Sequence, residues 1–268
     1  MPSHTLLSPL WPPRRRRAAR LLLATLSLLA VACGGDGATA PAPDDEEEGA
    51  AYVAAGRVTN ARGEPLAGVE VVLDNQLLHN SNVVTRTGAD GRYRVALPPI
   101  AVTWAASARM QRDFDGARYT IELAPVDPTP FAGNTGGVRD FVWRVRGAGP
   151  DGTWYGSSVV VYASLAQFDL DRRAVELTLT PVGSLIDGSA GQVIVGRPTS
   201  TGDGFAVVDV PVGRYAIAAR EVGAGGSGRP LRIRLRNSGS YASSVTTGFA
   251  APYGASLAIY RIDLEVER

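Results

Sequence analysis

Lysine is absent from this 268-residue chain: all 27 of its basic residues are arginine. A Lys–Asn isopeptide crosslink is therefore impossible. There is one cysteine, Cys33, so no internal disulfide can form and stability must come from core packing. Two histidines are present, and only His79 lies beyond the first 32 residues. One His with no spare Cys cannot assemble a tetrahedral zinc site of the usual composition. Neither H-E-x-x-H nor G-x-S-x-G occurs, which removes the common zinc-peptidase and serine-hydrolase signatures. His79 reads as a solvated residue of the polar loop 74–82. No apolar run reaches the ~20 residues of a membrane-spanning helix.

Charge is unevenly placed. Residues 1–32 carry five arginines and no acid, and the remainder carries 22 arginines against 26 acids, a net of −4. A mildly acidic body offers no footprint for nucleic acid. Arg14–Arg17 and Arg20 precede an apolar run of 11 residues, 21–31, the length of a secretory h-region. Residues 1–32 are thus expected to be a signal peptide, exported by general secretion because Ala18-Ala19-Arg20 does not resemble a twin-arginine motif. The run ends Leu29-Ala30-Val31-Ala32-Cys33. That resembles the bacterial lipobox, in which small residues precede a cysteine that is diacylated and becomes the new N-terminus. Ala30 stands where the lipobox usually has Leu. The resemblance implies lipidation of Cys33 and a membrane partner through that anchor. Gly34 rather than Asp after the cysteine points to the outer membrane more than the inner, with the protein periplasmic or surface-facing. Residues 33–50 hold no bulky apolar side chain, and Asp44–Glu48 are five consecutive acids; this reads as a disordered tether.

Gly 31 and Pro 18 are high, which suits short strands and tight turns. Residues 51–124 alternate with period two around Val69-Val71-Leu73, Tyr93-Val95-Leu97, Val102-Trp104 and Tyr119-Ile121-Leu123. Asp90-Gly91 reads as a hairpin turn. Gly56, Val58, Gly63, Pro65, Leu66, Gly68, Val69 and Val71, followed by Thr87, Asp90, Gly91 and Tyr93, resemble the carboxypeptidase regulatory-like domain. The resemblance implies a transthyretin-like (prealbumin-like) β-sandwich. In zinc carboxypeptidases that domain is a non-catalytic appendage, and in many bacterial surface proteins it occurs with no peptidase. Hydroxyisourate hydrolase shares the fold but ends in Tyr-Arg-Gly-Ser; here Tyr260-Arg261 is followed by Ile262-Asp263.

Residues 125–137 are rich in Pro and Gly and read as a linker. Residues 138–268 show about nine further strand-like runs, the size of a second sandwich. Thr199-Ser200-Thr201-Gly202-Asp203-Gly204, followed by a strand and Pro211-Val212-Gly213-Arg214-Tyr215, faintly echoes the first module. The expected fold class is all-β, two tandem Ig-like or prealbumin-like β-sandwiches after a signal peptide and an acidic linker. Leu231–Arg236 alternates apolar residues with arginine, as a strand with one buried face does.

The chemistry on offer is thin. Asp113/Asp115, Asp169/Asp171 and Asp203 lie in turns without calcium-loop spacing, so no metal and no cofactor are expected. Trp154, Tyr155, Tyr241 and Tyr253 sit in or near loops and are the candidate ligand-binding aromatics; Trp104 and Trp143 are expected in the core. The leading expectation is a non-catalytic, membrane-anchored lipoprotein. It presents two modules for binding, adhesion or scaffolding in the envelope, toward a protein or glycan partner. The alternative is a carbohydrate-binding module beside a separate enzyme.

Overall fold

The computed structural model describes residues 49–223, 226, 228–254 and 258–268. Residues 1–32, read above as a signal peptide, Cys33, and all but the last two residues of the segment read as a tether lie outside them. The described residues contain strands and short 3₁₀ turns, all within one compact unit.

The first sandwich is built from β1 (Val53–Asn60), β2 (Glu70–Asn75), β3 (Val83–Arg86), β4 (Arg92–Ala96), β5 (Thr103–Phe114), β6 (Ala117–Glu122), β7 (Ala124–Pro125), β8 (Phe131–Ala132), β9 (Gly137–Val138) and β10 (Phe141–Trp143). One sheet runs β4-β1-β10-β7 with β9 also on β1; the other runs β3-β2-β5-β6 with β8 on β5. The alternating residues meet between them: Val58, Tyr93 and Phe141 from one sheet, Val71, Leu73 and Trp104 from the other.

The motif residues of this module are structural. Thr87, buried, donates its hydroxyl to the Leu66 carbonyl (2.6 Å) and accepts from the Val69 amide (3.0 Å). The stretch 66–69 after the Gly63–Pro65 turn is thereby clamped onto the residue that follows β3. Gly91, at φ +76°, lies against the Val58 carbonyl and Pro65, where a Cβ would sit 2.6 Å from that oxygen. Its corner differs from the hairpin expected for Asp90-Gly91. β3 and β4 belong to different sheets, so the turn carries the chain across the sandwich. The local hydrogen bonds, Gly91 N–H to Gly88 O and Gly88 N–H to Arg92 O, are those of a tight turn; the strands beyond them diverge.

The segment read as a linker is part of this sandwich. It contributes β8 to β5 and β9 to β1, and β10, expected to open the second module, lies parallel to β1 with Val58 opposite Phe141. Gly56 explains the fit. A Cβ there would fall 2.1 Å from the Arg139 carbonyl oxygen, and the same oxygen accepts the Tyr93 hydroxyl at 2.6 Å. Burial pushes the Tyr93 phenol well above its ordinary value. The Arg139 guanidinium turns back to the Thr129 and Val138 carbonyls, and Asp140 accepts the Arg57 amide at 2.7 Å.

The second sandwich comprises β11 (Ser157–Ala163), β12 (Val175–Pro181), β13 (Ile194–Gly196), β14 (Thr199–Thr201), β15 (Gly204–Val210), β16 (Tyr215–Val222), β17 (Gly228–Leu235), β18 (Ser238–Ala242), β19 (Val245–Thr247) and β20 (Arg261–Glu267). Its pairing repeats the first module's. β15-β11-β20 corresponds to β4-β1-β10, and β13-β12-β16-β17 to β3-β2-β5-β6, with the same strand directions throughout. The faint echo at residues 201–215 is thus the trace of a shared topology. One departure separates the two. Residues 228–231 of β17 pair with β16 while 232–235 pair with β20, so the two layers merge into one ten-stranded sheet. The ends of that sheet, β13 and β14, are only Arg197 and Pro198 apart in the chain, so the sheet must curl back on itself. Val161, Leu177, Ile217, Ile233 and Leu264 fill its interior. Tyr215 donates its hydroxyl to the Pro211 carbonyl (2.9 Å), and burial pushes its pKa up to about 12.

The apolar residues of both sandwiches form a single continuous core. The two modules are consecutive in sequence and fused in packing.

Candidate functional site

The junction is made by the far end of the β5–β6 hairpin. β2 covers β5 only as far as Arg109, whereas β5 and β6 stay paired out to Phe114 and Ala117. The unsupported end lies against the second sandwich. Tyr119 donates its hydroxyl to the Phe249 carbonyl (2.9 Å), and the Thr120 amide donates to the Tyr260 hydroxyl (2.6 Å). The Tyr119 and Tyr260 rings lie 4.6 Å apart, and Arg214 pairs with Asp115 at 3.2 Å. Burial, with the Asp115 charge added, raises the Tyr119 phenol.

Beside this contact the chain crosses between modules through residues 144–156, folded as a tight loop by hydrogen bonds from the Gly149 amide to Thr153 O (2.9 Å) and from the Tyr155 amide to Gly147 O (3.0 Å). Asp209 pins it. It sits within β15 at φ +58°, a conformation that costs an L-residue energy. That geometry aims its carboxylate at the Gly147 and Gly156 amides, 2.7 and 3.2 Å away, with Arg146 at 3.6 Å.

Loop and hairpin together frame a cleft of about 950 Å³ between the sandwiches. Trp143, Trp154, Tyr155, Ile259 and Tyr260 give it an aromatic and apolar wall; Arg109, Glu122 and Arg144 are its charged groups. Trp154 is 50% exposed and available to a ligand.

Of the four aromatics singled out from sequence, the structure brings Trp154 and Tyr155 together in this cleft. Tyr241 and Tyr253 lie outside its lining and are engaged within the protein. The Tyr241 ring lies 4.4 Å from the Arg234 guanidinium, and its hydroxyl donates to Glu265 at 2.6 Å. Tyr253 lies 5.1 Å beneath Arg261, whose guanidinium donates to the Tyr253 hydroxyl at 3.1 Å. Trp104 and Trp143 are buried, as their alternation predicts. His79 is exposed on its loop.

The loop aspartates are tied up by arginine or by local backbone: Asp113 with Arg118, Asp115 with Arg214, Asp169 with Arg268, Asp203 with Arg261, and Asp171 with the Arg173 amide. Among the described residues no group of three His, Cys, Asp or Glu side chains converges on a metal position. The arginines of 231–236 are likewise engaged: Arg232 with Glu267, Arg234 with Glu265, and Arg236 over the Tyr162 ring.

Sequence reasoning missed the exposure of Leu165 and Phe168, 96% and 91% exposed on the loop after β11. The available signal was two large apolar residues three apart, between Ser164 and Asp169, in a segment too short for another strand.

Among solved structures, a Streptococcal ancillary pilin is similar at TM-score 0.26 and 11% identity, over 81% of this chain and 62% of that one. The C-terminal fragment of the pilus adhesin SpaC from Lactobacillus rhamnosus GG gives TM-score 0.26 and 11% identity, over 80% and 96%. A single B repeat unit of the collagen-binding surface protein of Staphylococcus aureus gives TM-score 0.22 and 11% identity, over 75% and 98%. The chain thus spans less than two thirds of the first of these. No curated protein matches the sequence. Residues 54–129, the greater part of the first sandwich, match the profile of the carboxypeptidase regulatory-like domain.

Proposed function

We propose that this chain is a non-catalytic envelope lipoprotein, acylated at Cys33, that displays its two fused sandwiches for adhesion or scaffolding. The observation that carries the reading is the fate of the polar side chains. The regulatory-domain motif residues Thr87, Gly91 and Tyr93 are consumed in holding β1, β2 and the segment 126–140 together. The loop carboxylates are neutralised one by one by arginines rather than converging on the cleft. Such a body suits display, and the basic, apolar N-terminal segment ending at Cys33 supplies the address. Gly34, in place of Asp after the cysteine, favours the outer membrane over the inner, with the sandwiches periplasmic or surface-facing.

Cys33→Ser tests it. The native chain incorporates labelled palmitate and sediments with membranes. The variant is expected to lose the label entirely and leave the acylated membrane pool. Equal labelling of both chains would sink the proposal.

A second reading, a glycan-binding module beside a separate enzyme, rests on Trp154. Its half-exposed ring beside Tyr155 in the cleft is the kind of platform on which a sugar face stacks.

A further inference from the structure

Strand direction gives the molecule two poles. β10 runs parallel to β1 and hands the chain on to the second sandwich, so β1 begins at the end of the first sandwich remote from the second. β11 and β20 are also parallel, and both start at the junction, beside the Gly156–Asp209 contact and Tyr260. They run away from it and finish together, with the Ser164 amide donating to Val266 O at 2.9 Å. The start of β1 and the loop 164–171 therefore occupy opposite poles. With strands of seven or eight residues rising ~3.3 Å each, the poles are roughly 50 Å apart.

The distal pole is a rigid apolar knuckle. Ser164 caps the 3₁₀ turn Leu165–Gln167 by accepting from the Ala166 amide. Gln167 accepts the Arg268 amide at 2.7 Å, Asp169 pairs with the Arg268 guanidinium at 2.6 Å, and Leu170 is buried beneath. This bracing leaves Leu165 and Phe168 projecting almost fully into water. On the next 3₁₀ turn, Arg172 and Arg173 flank the Phe205 ring at 4.5 and 4.9 Å. Neither has a carboxylate partner among the described residues, since Asp171 is engaged with the Arg173 amide and Asp169 with Arg268.

We propose that this pole docks on an anionic lipid bilayer surface, with Leu165 and Phe168 entering the headgroup–acyl boundary and Arg172 and Arg173 meeting lipid phosphates. A protruding apolar pair near guanidinium groups that have no carboxylate partner among the described residues is complementary to a soft interface with a charged rim. The chain would then touch lipid at both ends. The inference is independent of acylation at Cys33, and so is its test.

In the full chain carrying Cys33→Ser, Ala166→Cys is labelled with an environment-sensitive nitrobenzoxadiazole; Val193→Cys, exposed near the junction, is the control. The probe is vesicles of phosphatidylcholine with one third phosphatidylglycerol. The label at 166 is expected to shift to the blue and to be quenched by brominated acyl chains, while the label at 193 stays in water. Adding Leu165→Ser and Phe168→Ser is expected to raise the lipid needed for half-maximal shift at least about tenfold. Arg172→Gln with Arg173→Gln weakens binding to the anionic vesicles, and salt does the same to the parent. A label at 166 that stays in water at saturating lipid overturns the proposal. So does equal quenching at 193, or a blue shift that follows protein concentration without lipid, which would mark the knuckle as a contact between copies.

Discussion

Gly56→Val is expected to destabilise the fused body, both sandwiches together, by about 4 kcal/mol or more. A Cβ at this position would lie 2.1 Å from the Arg139 carbonyl oxygen and 3.0 Å from the Tyr93 ring. Neither neighbour can yield cheaply. The oxygen is backbone, held by the Tyr93 hydroxyl, while the Arg139 amide is itself bound to Ala55 O at 2.9 Å. Relieving the clash means lifting 137–143 off β1, which loses the parallel pairing and uncovers Phe141 and Trp143. A small protein has about 5–15 kcal/mol in hand, and a combined clash and exposed core costs about 4 kcal/mol or more. The expected result is a single urea transition, followed by tryptophan fluorescence, displaced to much lower denaturant than in the native chain. Tyr93→Phe, which removes the hydroxyl and leaves the packing, should cost only about 1 kcal/mol.

Glu265 carries the second large effect. Its side chain is 8% exposed, yet it holds Arg234 at 2.9 Å, the Tyr241 hydroxyl at 2.6 Å and the Asn237 amide at 3.5 Å. Burial alone would raise its pKa. The hydrogen bonds from Tyr241 and Arg234, with the Asn237 amide, outweigh that and hold it below the ordinary value. Glu265→Ala leaves Arg234 and Tyr241 without their acceptor beside β17 and β20, the strands that merge the second module's layers. Removing one partner of such a buried pair costs about 3 kcal/mol. The pH dependence has a definite sign. A carboxyl whose folded pKa is depressed contributes stability above its unfolded pKa, about 4.3 for Glu. That contribution is lost as pH falls through the lower, folded value. The urea midpoint of the native chain should therefore fall on the acid side of about pH 4.3, and this site adds no alkaline limb. Glu265→Gln should flatten the acid limb. An unchanged acid limb in Glu265→Gln would remove the site from the account.

Much of the first module was legible because its signals are local. Val69-Val71-Leu73 and Tyr119-Ile121-Leu123 alternate over enough residues to be read as strands, and they are strands. Its termination was not legible. β7, β8 and β9 are two residues long and β10 is three, too short for a period to show. The glycines and prolines between them signal flexibility in a sequence, whereas Gly56 and Gly137 exist for close approach to Arg139 O and the Phe131 ring. The Asp90-Gly91 turn was legible as a turn; its role as a corner between sheets depends on β2 and β1 capturing the flanking strands, which is non-local. Of the site aromatics, exposure of Trp154 followed from its loop. The capture of Tyr241 and Tyr253 by Arg234 and Arg261 did not, because those arginines arrive from strands 7 and 8 residues away in sequence whose register no local pattern sets. The shared topology left only the turn 201–204 and Tyr215 as sequence traces.

The central structural claim is that the two sandwiches act as one body, joined by a continuous core and by Tyr119, Tyr260, Asp115 and Arg214. Hydrogen exchange under increasing urea tests it most directly, by comparing the amides of β1 with those of β20. One body predicts that the most protected amides of both strands merge into a single global opening, with the same free energy and the same urea dependence. Two separate openings, one sandwich exchanging while the other stays protected, would contradict it.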